Sequence, residues 1–522
     1  MLKSATRGCF LPKTVGSDLV LTLRKMSYTS ARVKAMALFV KHEAKFEGKH
    51  KGNPFHKIDN PQGVINMGTS ENKLLFDLLK KKFEEKESHT LLQEHTEYFC
   101  AEGLMSFRQT IADFLNHYMK PAEPISSEEL IVSNGATPLV DAIAYTLADE
   151  GEGMLIPAPY YGSFLLDLQS RSRVIPFPVE LSSKIGPGES QPFELTVKRL
   201  ESALQKAQEQ GVKIRGVLLC NPNNPLGVIY SEEFLQGCLQ FAARHSLHVI
   251  MDEIYMLSLF KEGCSMTNVL SLKNIPDKER LHVLWGFSKD FGVSGFRCGI
   301  FHTRNKEVYR AMAQGYTRFH DLATPTQVIL RNLIKDRDWL DKTFIPTNQE
   351  RLRKAYNITC NALREVNIPF IQGEGGLFVW VDFRELVPTS TFEEEYQLFE
   401  RMVANGVSIY PGAYFLCPEP GWFRIIFAMD TEVLQLGLSR IQKTVKNVRT
   451  ELGAKQPDGR VKAPPSHSQD NVTSSDQTLE DLIHTLNRQI KDSDWLKENT
   501  AEKWVSENPE LAKAFLHQDG DK

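Results

Sequence analysis

Short apolar runs alternate with longer amphipathic stretches through the middle of the chain. The stretch from Glu232 to Arg244 has the periodicity of an amphipathic helix, and comparable stretches separate the other runs. Short runs bounded by turn residues or charges are typical of buried strands in a mostly parallel sheet, with the longer stretches as crossover helices. The apolar runs are Leu130–Val132, Met154–Ile156, Val217–Leu219, Val249–Met251, Val283–Trp285 and Cys298–Phe301. We therefore predict an α/β domain with three layers.

The pattern changes on both sides of this region. Residues 76–330 carry the alternation and are predicted to form a large domain, while residues 31–75 form an N-terminal arm and part of a smaller one. Residues 331–450 begin with a long charged helical stretch and continue into strand patterns near Phe378 and Phe423. These features predict a smaller α+β domain in the C-terminal half.

The two ends of the chain differ from the rest in composition. The first 41 residues contain eight Lys or Arg and one acid, Asp18. We predict a disordered basic leader over residues 1–30, with a mitochondrial transit peptide as the alternative and Met26 as a second candidate start. Residues 451–477 are rich in Pro and Ser and predict a linker. Helical spacing of apolar positions in residues 478–522 predicts a helical tail, which either packs on its own protein, barely folds or docks a partner.

Bulk composition narrows the function classes. Of the 522 residues, 41% are apolar and 24% charged, as in ordinary soluble globular proteins. The formal net charge of -3 gives no general attraction for nucleic acid, and no apolar run is long enough to predict a membrane span. The eight cysteines form no C-x-x-C pair, so we predict neither a zinc site nor a disulfide framework, and a reducing, cytoplasmic location.

Candidate chemistry follows several of the predicted strands. Ser288-Lys289-Asp290, with Arg297 downstream, lies between two of them. Such a motif alone is a weak signal, because most lysines are solvated surface residues. Its companions are the turn Asn221–Pro225, the segments Asp252–Tyr255, Ser133–Thr137 and Pro157–Tyr161, and Gly421–Arg424 in the smaller domain. Ligands bind in the crevice at the carboxyl ends of strands in open α/β sheets, so these motifs predict one shared site.

In this order the motifs resemble the class I/II aminotransferase family, whose members are fold-type I transferases dependent on pyridoxal phosphate. Within that family, Met67–Leu74 resembles the M-G-x-x-E-N-x-L motif of the 1-aminocyclopropane-1-carboxylate synthases and their animal synthase-like relatives. Glu419–Arg424 strengthens this likeness, which extends over roughly residues 28–450. The resemblance implies a homodimer with its active site at the junction of domains and subunits, and an amino acid as substrate.

The resemblance also implies a role for each matched residue. Lys289 would hold pyridoxal phosphate as a Schiff base and later move the α-proton. Asp252 would pair with the pyridinium nitrogen, so that the ring draws electrons more strongly. Arg424 would bind the substrate carboxylate, and Glu71 would face the substrate. The remaining matched residues are Asn224 and Tyr255 for the phenolic oxygen, Tyr161 for stacking on the ring, and Gly135, Ala136, Thr137, Ser288 and Arg297 for the phosphate.

Two positions depart from the family pattern. Gly286 stands where a phosphate-binding serine is usual, and Ala101 stands where the synthases carry a tyrosine that reaches the neighbouring subunit's cofactor. We predict an enzyme acting at the α-carbon of an amino acid, by transamination or by elimination and deamination. The alternatives are a true 1-aminocyclopropane-1-carboxylate synthase using S-adenosylmethionine, and a degenerate binding or scaffold protein. We also predict that a serine at position 286 would tighten cofactor binding.

Overall fold

A seven-stranded sheet forms the centre of the fold in this computed structural model, which describes residues 45, 46 and 48–454. Its strand order is β2-β8-β7-β6-β5-β3-β4, and β8 is antiparallel to both neighbours while the other pairs are parallel. The strands are β2 (Leu130–Ser133), β3 (Gly153–Ala158), β4 (Ile175–Glu180), β5 (Ile214–Cys220), β6 (His248–Asp252), β7 (Leu281–Gly286) and β8 (Gly299–Thr303).

Fourteen α-helices occur in the described chain, before, between and after the strands of this sheet. They are α1 (Phe76–Glu84), α2 (Lys86–His89), α3 (Met105–Met119), α4 (Ala136–Leu147), α5 (Phe164–Gln169), α6 (Val197–Glu209), α7 (Glu232–Arg244), α8 (Phe287–Asp290), α9 (Lys306–Arg310), α10 (Thr324–Lys335), α11 (Arg337–Trp339), α12 (Ile345–Glu365), α13 (Phe392–Ala404) and α14 (Thr431–Ala454). In the part of the chain that the structure describes, no helix is both long and apolar enough to cross a membrane.

Alternate residues of the central strands enter two different cores. Leu219 and Met251 pack in one apolar cluster, whereas their chain neighbours Leu218 and Ile250 pack in the other. Successive side chains of a strand point to opposite faces of the sheet, so the two clusters are its two faces. Helix α7 covers the first face and α4 the second. The predicted three-layer α/β architecture with a mostly parallel sheet is thus confirmed.

Strand β4 was missing from the predicted strands. Its sequence, Ile-Pro-Phe-Pro-Val-Glu, places prolines at 176 and 178, which argue against a strand because proline donates no ladder hydrogen bond. The strand lies at the edge of the sheet and pairs with β3 alone, so one side of its backbone needs no donor. The edge position explains why the prolines are tolerated.

The C-terminal half of the described chain contains a separate three-stranded antiparallel sheet, in the order β11-β12-β9. Its strands are β9 (Phe378–Asp382), β11 (Tyr410–Pro411) and β12 (Trp422–Ile426). The N-terminal segment contributes β1 (Ile65–Asn66), which pairs in parallel with β10 (Val407–Ser408). This pairing brings residues 67–71 close to β12.

Some predictions lie outside the described residues. They are the basic leader over residues 1–30, the helical tail over residues 478–522 and the linker over residues 451–477 except its first four positions, which complete α14. The division of the chain into domains therefore stays a prediction.

Candidate active site

Lys289 lies on the short helix α8, directly after the carboxyl end of β7. The side chain is half-buried, and its Nζ donates a hydrogen bond to the backbone oxygen of Ser70 at 2.6 Å. Burial lowers the pKa of the amine to about 8, and the nearby Arg424 lowers it further while Glu71 and Asp252 oppose the shift. With that pKa roughly one lysine in ten is uncharged at pH 7, which is what a nucleophilic amine requires.

Asp252 ends β6 and lies beside Cys220, the last residue of β5. Its side chain is buried, and within the described chain it accepts one hydrogen bond, from the backbone N–H of Ile254 at 3.2 Å. Burial raises the pKa of this carboxyl to about 7, with the charge of Lys289 opposing the rise. A buried carboxylate with so few donors has room for one more, such as a ring N–H.

Arg424 on β12 is a buried cation. Its Nη1 donates to Oδ1 of Asn224 at 2.8 Å and its Nη2 donates to the backbone oxygen of Gly68 at 2.6 Å. The rings of Phe415 and Phe378 lie 4.5 and 5.4 Å from the guanidinium carbon. Among the residues that the structure describes, the partners of the two Nη atoms of Arg424 are an amide and a backbone oxygen rather than a carboxylate, and its Nε has no hydrogen-bond partner. A buried guanidinium in this condition favours the binding of an anion.

Tyr255 and Asn224, two residues predicted to bind the same ring oxygen, lie on different parts of this network. The hydroxyl of Tyr255 lies 3.2 Å from Oγ of Ser70, and burial raises its pKa above the ordinary value. Asn224 contacts Arg424 directly. The segment from Gly68 to Ser70 therefore touches both cations of the site, Lys289 through one carbonyl and Arg424 through another.

The predicted phosphate loop lies at the start of α4. Gly135 has a φ of 127°, and a Cβ at this position would come within 2.6 Å of Nη2 of Arg297. A Cβ on Gly299 would come within 2.6 Å of the backbone nitrogen of Ala136. The two glycines allow this close approach, and backbone N–H groups at a helix start beside an arginine suit a phosphate group.

The other residues predicted for the phosphate lie around this loop. Thr137 and Arg297 are exposed, and Ser288 is buried. Ser294 fixes the segment, because its Oγ donates to the backbone oxygen of Ser288 at 3.1 Å and its own backbone oxygen accepts Nη1 of Arg297 at 3.0 Å.

Tyr161 and Glu71 lie at the border of the site. Tyr161 packs edge-on against Phe164 at 5.3 Å and is near enough to Arg424 to influence its pKa. Glu71 is partly exposed and forms an ion pair with Lys73 at 3.4 Å. Its negative charge acts on Lys289, the residue whose amine binds the adjacent Ser70.

The two departures from the family pattern have structural consequences. Gly286 has extended backbone, as expected for a strand residue, but a Cβ there would lie 2.8 Å from the backbone oxygen of Cys298. A serine therefore needs a backbone shift, and the prediction that it would tighten cofactor binding is revised on this ground. Ala101 is partly buried, and the ring of Tyr98, three residues before it, is fully exposed.

Sequence reasoning missed Gly68 and Ser70 as contact residues. Both lie in the Met67–Leu74 motif, but they bind the cations mainly through backbone carbonyls, which leave no side-chain signature.

Comparison with known proteins identifies the family of this site. Residues 62–441 match the profile described as aminotransferase class I and II. The chain belongs to the class I and II aminotransferase family. Among its relatives, 1-aminocyclopropane-1-carboxylate synthase-like protein 1 of Bos taurus is 42% identical over 387 residues, or 74% of this chain and 77% of the relative. The predicted resemblance to the animal synthase-like proteins is confirmed.

Not every relative carries the name of an active enzyme. The Homo sapiens protein named probable inactive 1-aminocyclopropane-1-carboxylate synthase-like protein 2 is 39% identical over 81% of this chain and 75% of its own length. An aspartate aminotransferase mutant of Thermus thermophilus, solved with tryptophan, has the same fold, with a TM-score of 0.63 and 19% identity over 80% of this chain and all of its own. The class I and II aminotransferase family depends on pyridoxal phosphate. Asp252, which accepts one hydrogen bond among the described residues, and the buried Arg424 fit that cofactor and an amino acid.

Proposed function

We propose that this chain binds pyridoxal phosphate and acts at the α-carbon of an amino acid, by transamination or by elimination and deamination. The observation that carries the proposal is Arg424, a buried guanidinium without a carboxylate partner among the described residues. Its planar fork matches the α-carboxylate that all amino acids share. Its side chain shares the Gly68–Ser70 segment with Lys289, so a bound amino acid would lie next to the amine.

The chain has a residue for each part of the cofactor. Lys289 would bind it covalently, Asp252 would pair with its ring nitrogen, and Asn224 and Tyr255 would bind the ring oxygen. Tyr161 would stack on the ring, and the phosphate would be held by Gly135, Ala136, Thr137, Ser288 and Arg297. When bound, pyridoxal phosphate supplies an electron sink that stabilises negative charge at the α-carbon.

Lys289 is the residue that moves the proton in this proposal. Its lowered pKa, caused mainly by burial, supports a role as general base, because the free amine is present near neutral pH. Arg424 would fix the α-carbon beside that amine, and the apolar rings of Phe378 and Phe415 would keep water from the carboxylate.

The first test locates the cofactor. The protein is incubated with pyridoxal phosphate, reduced with borohydride and mapped by peptide mass spectrometry. We expect the reduced label on Lys289 and its loss in Lys289→Arg. A label on another lysine, or none at all, would contradict the proposal, and absence of label is the outcome that a degenerate scaffold predicts.

The second test concerns the substrate carboxylate. We expect Arg424→Lys to weaken the binding of L-amino acids by about 100-fold, since disrupting a buried charged hydrogen-bonded pair costs about 2–5 kcal/mol. Conversion of a panel of L-amino acids to keto acids reports the reaction, with Lys443→Arg on the outer part of α14 as a control. Retained binding in Arg424→Lys would mean that the carboxylate lies elsewhere.

A third test separates this reaction from cyclopropane synthesis. Ala101 stands where the synthases carry a tyrosine, and Glu71, the acid that could attract the sulfonium of S-adenosylmethionine, is paired with Lys73. We expect S-adenosylmethionine to yield little or no 1-aminocyclopropane-1-carboxylate by chromatographic assay. Rapid formation of that product would establish the synthase alternative instead.

The assembly and location belong to the same proposal. We infer a homodimer in the cytoplasm from the family resemblance and the cysteine pattern. The exposed apolar side chains of Leu91, Leu92 and Tyr98 support the dimer, because a second copy could cover them. Sedimentation and cell fractionation measure these two points, and a monomer or a mitochondrial protein would contradict them.

A further inference from the structure

Asp290 is a buried acid that follows Lys289 in the chain. It is 1% exposed, and its two oxygens accept three hydrogen bonds. Oδ1 accepts from the hydroxyl of Ser258 at 2.7 Å and from the backbone N–H of Leu257 at 3.2 Å. Oδ2 accepts from the indole Nε1 of Trp285 at 3.0 Å. The carboxylate thus joins the strand before the lysine to the turn that follows Tyr255.

These contacts complete a closed ring of hydrogen bonds and covalent bonds around the site. On the cleft side, the Lys289 amine binds the Ser70 carbonyl at 2.6 Å, and the Ser70 hydroxyl lies 3.2 Å from that of Tyr255. On the far side, the backbone oxygen of Tyr255 accepts the N–H of Ser258 at 2.9 Å, and Ser258 donates to Asp290. The peptide bond from Asp290 to Lys289 closes the loop.

We propose that Asp290 is a positioning residue, whose carboxylate holds Lys289 at a fixed place relative to Tyr255. The proposal rests on the function proposed above for Lys289. Asp290 itself contacts neither substrate nor cofactor in this scheme. Its effect passes through the short helix α8 on one side and the Tyr255–Ser258 turn on the other.

The arrangement requires a carboxylate rather than an amide. Burial disfavours the ionised carboxylate of Asp290 and raises its pKa to about 7. The three hydrogen-bond donors oppose this shift by stabilising the ionised form. An asparagine would turn its NH2 either toward the indole N–H of Trp285 or toward the backbone N–H of Leu257. Ser258 can rotate its hydroxyl and become an acceptor, but the other two groups can only donate. Asp290→Asn therefore loses at least one hydrogen bond and places two donors in contact.

The experiment measures the titration of Lys289 without any turnover. Full-length protein is treated with pyridoxal phosphate and borohydride from about pH 7 to about pH 10, and the label on Lys289 is quantified by peptide mapping. The charges that act on this amine, those of Arg424, Arg297, Glu71 and Asp252, are the same in all the variants.

Glu395→Gln is the matched control. Glu395 is fully buried on α13, and its oxygens accept backbone N–H groups from Ala413 at 2.8 Å and Gly421 at 2.5 Å. This control measures what an amide does to the protein when it replaces a buried acid elsewhere. Thermal unfolding of both variants compares their stabilities directly.

We expect the pH at which labelling of Lys289 is half-complete to be about one unit higher in Asp290→Asn than in the wild type. At any pH below the midpoint, this corresponds to about tenfold less uncharged amine. A released amine regains water, which raises its pKa, whereas loss of a negative charge alone would lower it. Glu395→Gln should keep the wild-type midpoint, and Ser258→Ala, which removes one link, should shift it upward by less.

Each remaining outcome overturns the inference. A wild-type midpoint in Asp290→Asn would show that the ring of bonds does not position the lysine. A downward shift of the midpoint would show that Asp290 acts by its charge. If Asp290→Asn does not fold, Ser258→Ala decides, and an unchanged midpoint there contradicts positioning. Absence of label on wild-type Lys289 would defeat the proposed function itself, and with it this inference.

Discussion

Strand β6 has a titratable residue at each end, the half-buried His248 and the buried Asp252, and the two ends differ in how these residues are bonded. At its start, His248 shares a 3.0 Å hydrogen bond with His282 of β7, and His282 shares another of 2.9 Å with Thr303. At its end, Asp252 accepts one backbone hydrogen bond among the described residues. Burial lowers the pKa of His248 to about 4 and that of His282 to about 3, while it raises that of Asp252 to about 7.

The difference separates a structural cluster from a binding site. The histidines are held neutral and bond to each other, so the protein satisfies them internally. Asp252 and Arg424 are buried ionisable groups whose hydrogen-bonding capacity exceeds what the described chain provides. A perturbed pKa occurs at both ends, so perturbation alone does not mark the site. What distinguishes the carboxyl end is that Asp252 and Arg424 keep hydrogen-bonding capacity beside Lys289, where a ligand could use it.

The largest expected effect comes from Asp252→Asn, which tests the carboxyl end. We expect the proposed activity to fall by about a thousandfold or more, since an amide cannot keep the ring nitrogen protonated. We expect the cofactor-free protein, in contrast, to become more stable at pH 8 by about 2–4 kcal/mol, as follows from a pKa raised by about 3 units.

The sign of the pH dependence is part of this prediction. Asp252 has a folded pKa above its unfolded value, so its contribution to stability is full below pH 3.8 and is lost as the pH rises through about 7. The advantage of Asp252→Asn in chemical denaturation should therefore grow between those values. A variant that is both inactive and less stable at pH 8 would contradict this prediction. It would mean that the carboxylate of Asp252 is stabilised in the cofactor-free protein by more than the hydrogen bond from Ile254.

His282→Asn, on β7, removes the hydrogen-bond partner of His248 at the start of β6 and should have a smaller effect. The folded pKa values of His282 and His248 lie below their unfolded values, so the stability they contribute is present above pH 6.5 and lost as the pH falls toward 4. Between pH 7 and pH 5 we expect the loss in unfolding free energy to be about 2 kcal/mol smaller in His282→Asn than in the wild type.

Chemical denaturation at several pH values measures the unfolding free energy of both proteins. Carboxylates contribute equally to the pH dependence of the two proteins, so their contributions cancel in the difference. From pH 7 to pH 9 the difference between the two proteins should be constant, which serves as an internal control. The proposed activity at pH 8 should survive in proportion to folded protein. Selective loss of cofactor binding in His282→Asn would erase the distinction between the two ends.

The sequence predicted the sheet, and it singled out most residues of the candidate site, for a clear physical reason. Periodicity reports which face of an element is buried, and so the six apolar runs coincide with strands β2, β3, β5, β6, β7 and β8. Lys289, Asp252 and Arg424 could be proposed as site residues because their side chain types suit the expected chemistry, and motif order placed each at a strand end or on a strand.

Features that depend on backbone and on three-dimensional proximity could not be predicted. The carbonyls of Gly68 and Ser70 are available at every residue, so no pattern singles them out. Asp290 was visible beside Lys289, but its donors come from residues 257, 258 and 285, whose approach depends on the fold. The close contact at Gly286 is with Cys298, the residue just before β8, and depends on the pairing of β7 with β8.

The smallest expected effect concerns two glycines that lie toward opposite ends of the sheet's strands. A Cβ on Gly286 would lie 2.8 Å from the backbone oxygen of Cys298, and a Cβ on Gly216 would lie 2.7 Å from that of His248. Neither oxygen is the end of a flexible side chain, so a serine at either position forces a backbone shift. We expect both Gly286→Ser and Gly216→Ser to lose stability, by about 1–3 kcal/mol each.

Their effects on the cofactor should differ. Gly286 precedes α8, which carries Ser288 and Lys289, so a shift there displaces two residues proposed to hold pyridoxal phosphate. Gly216 pairs with His248 at the other end of β6, away from those residues. We expect Gly286→Ser to weaken cofactor binding by about tenfold, since a new hydroxyl worth about 1 kcal/mol cannot offset the displacement, and Gly216→Ser to leave the dissociation constant unchanged. Titration with pyridoxal phosphate followed by visible absorbance measures both. Tighter binding in Gly286→Ser would show that the loop yields easily and that the phosphate lacks a donor, whereas equal weakening in both variants would show that the two ends of the sheet are coupled.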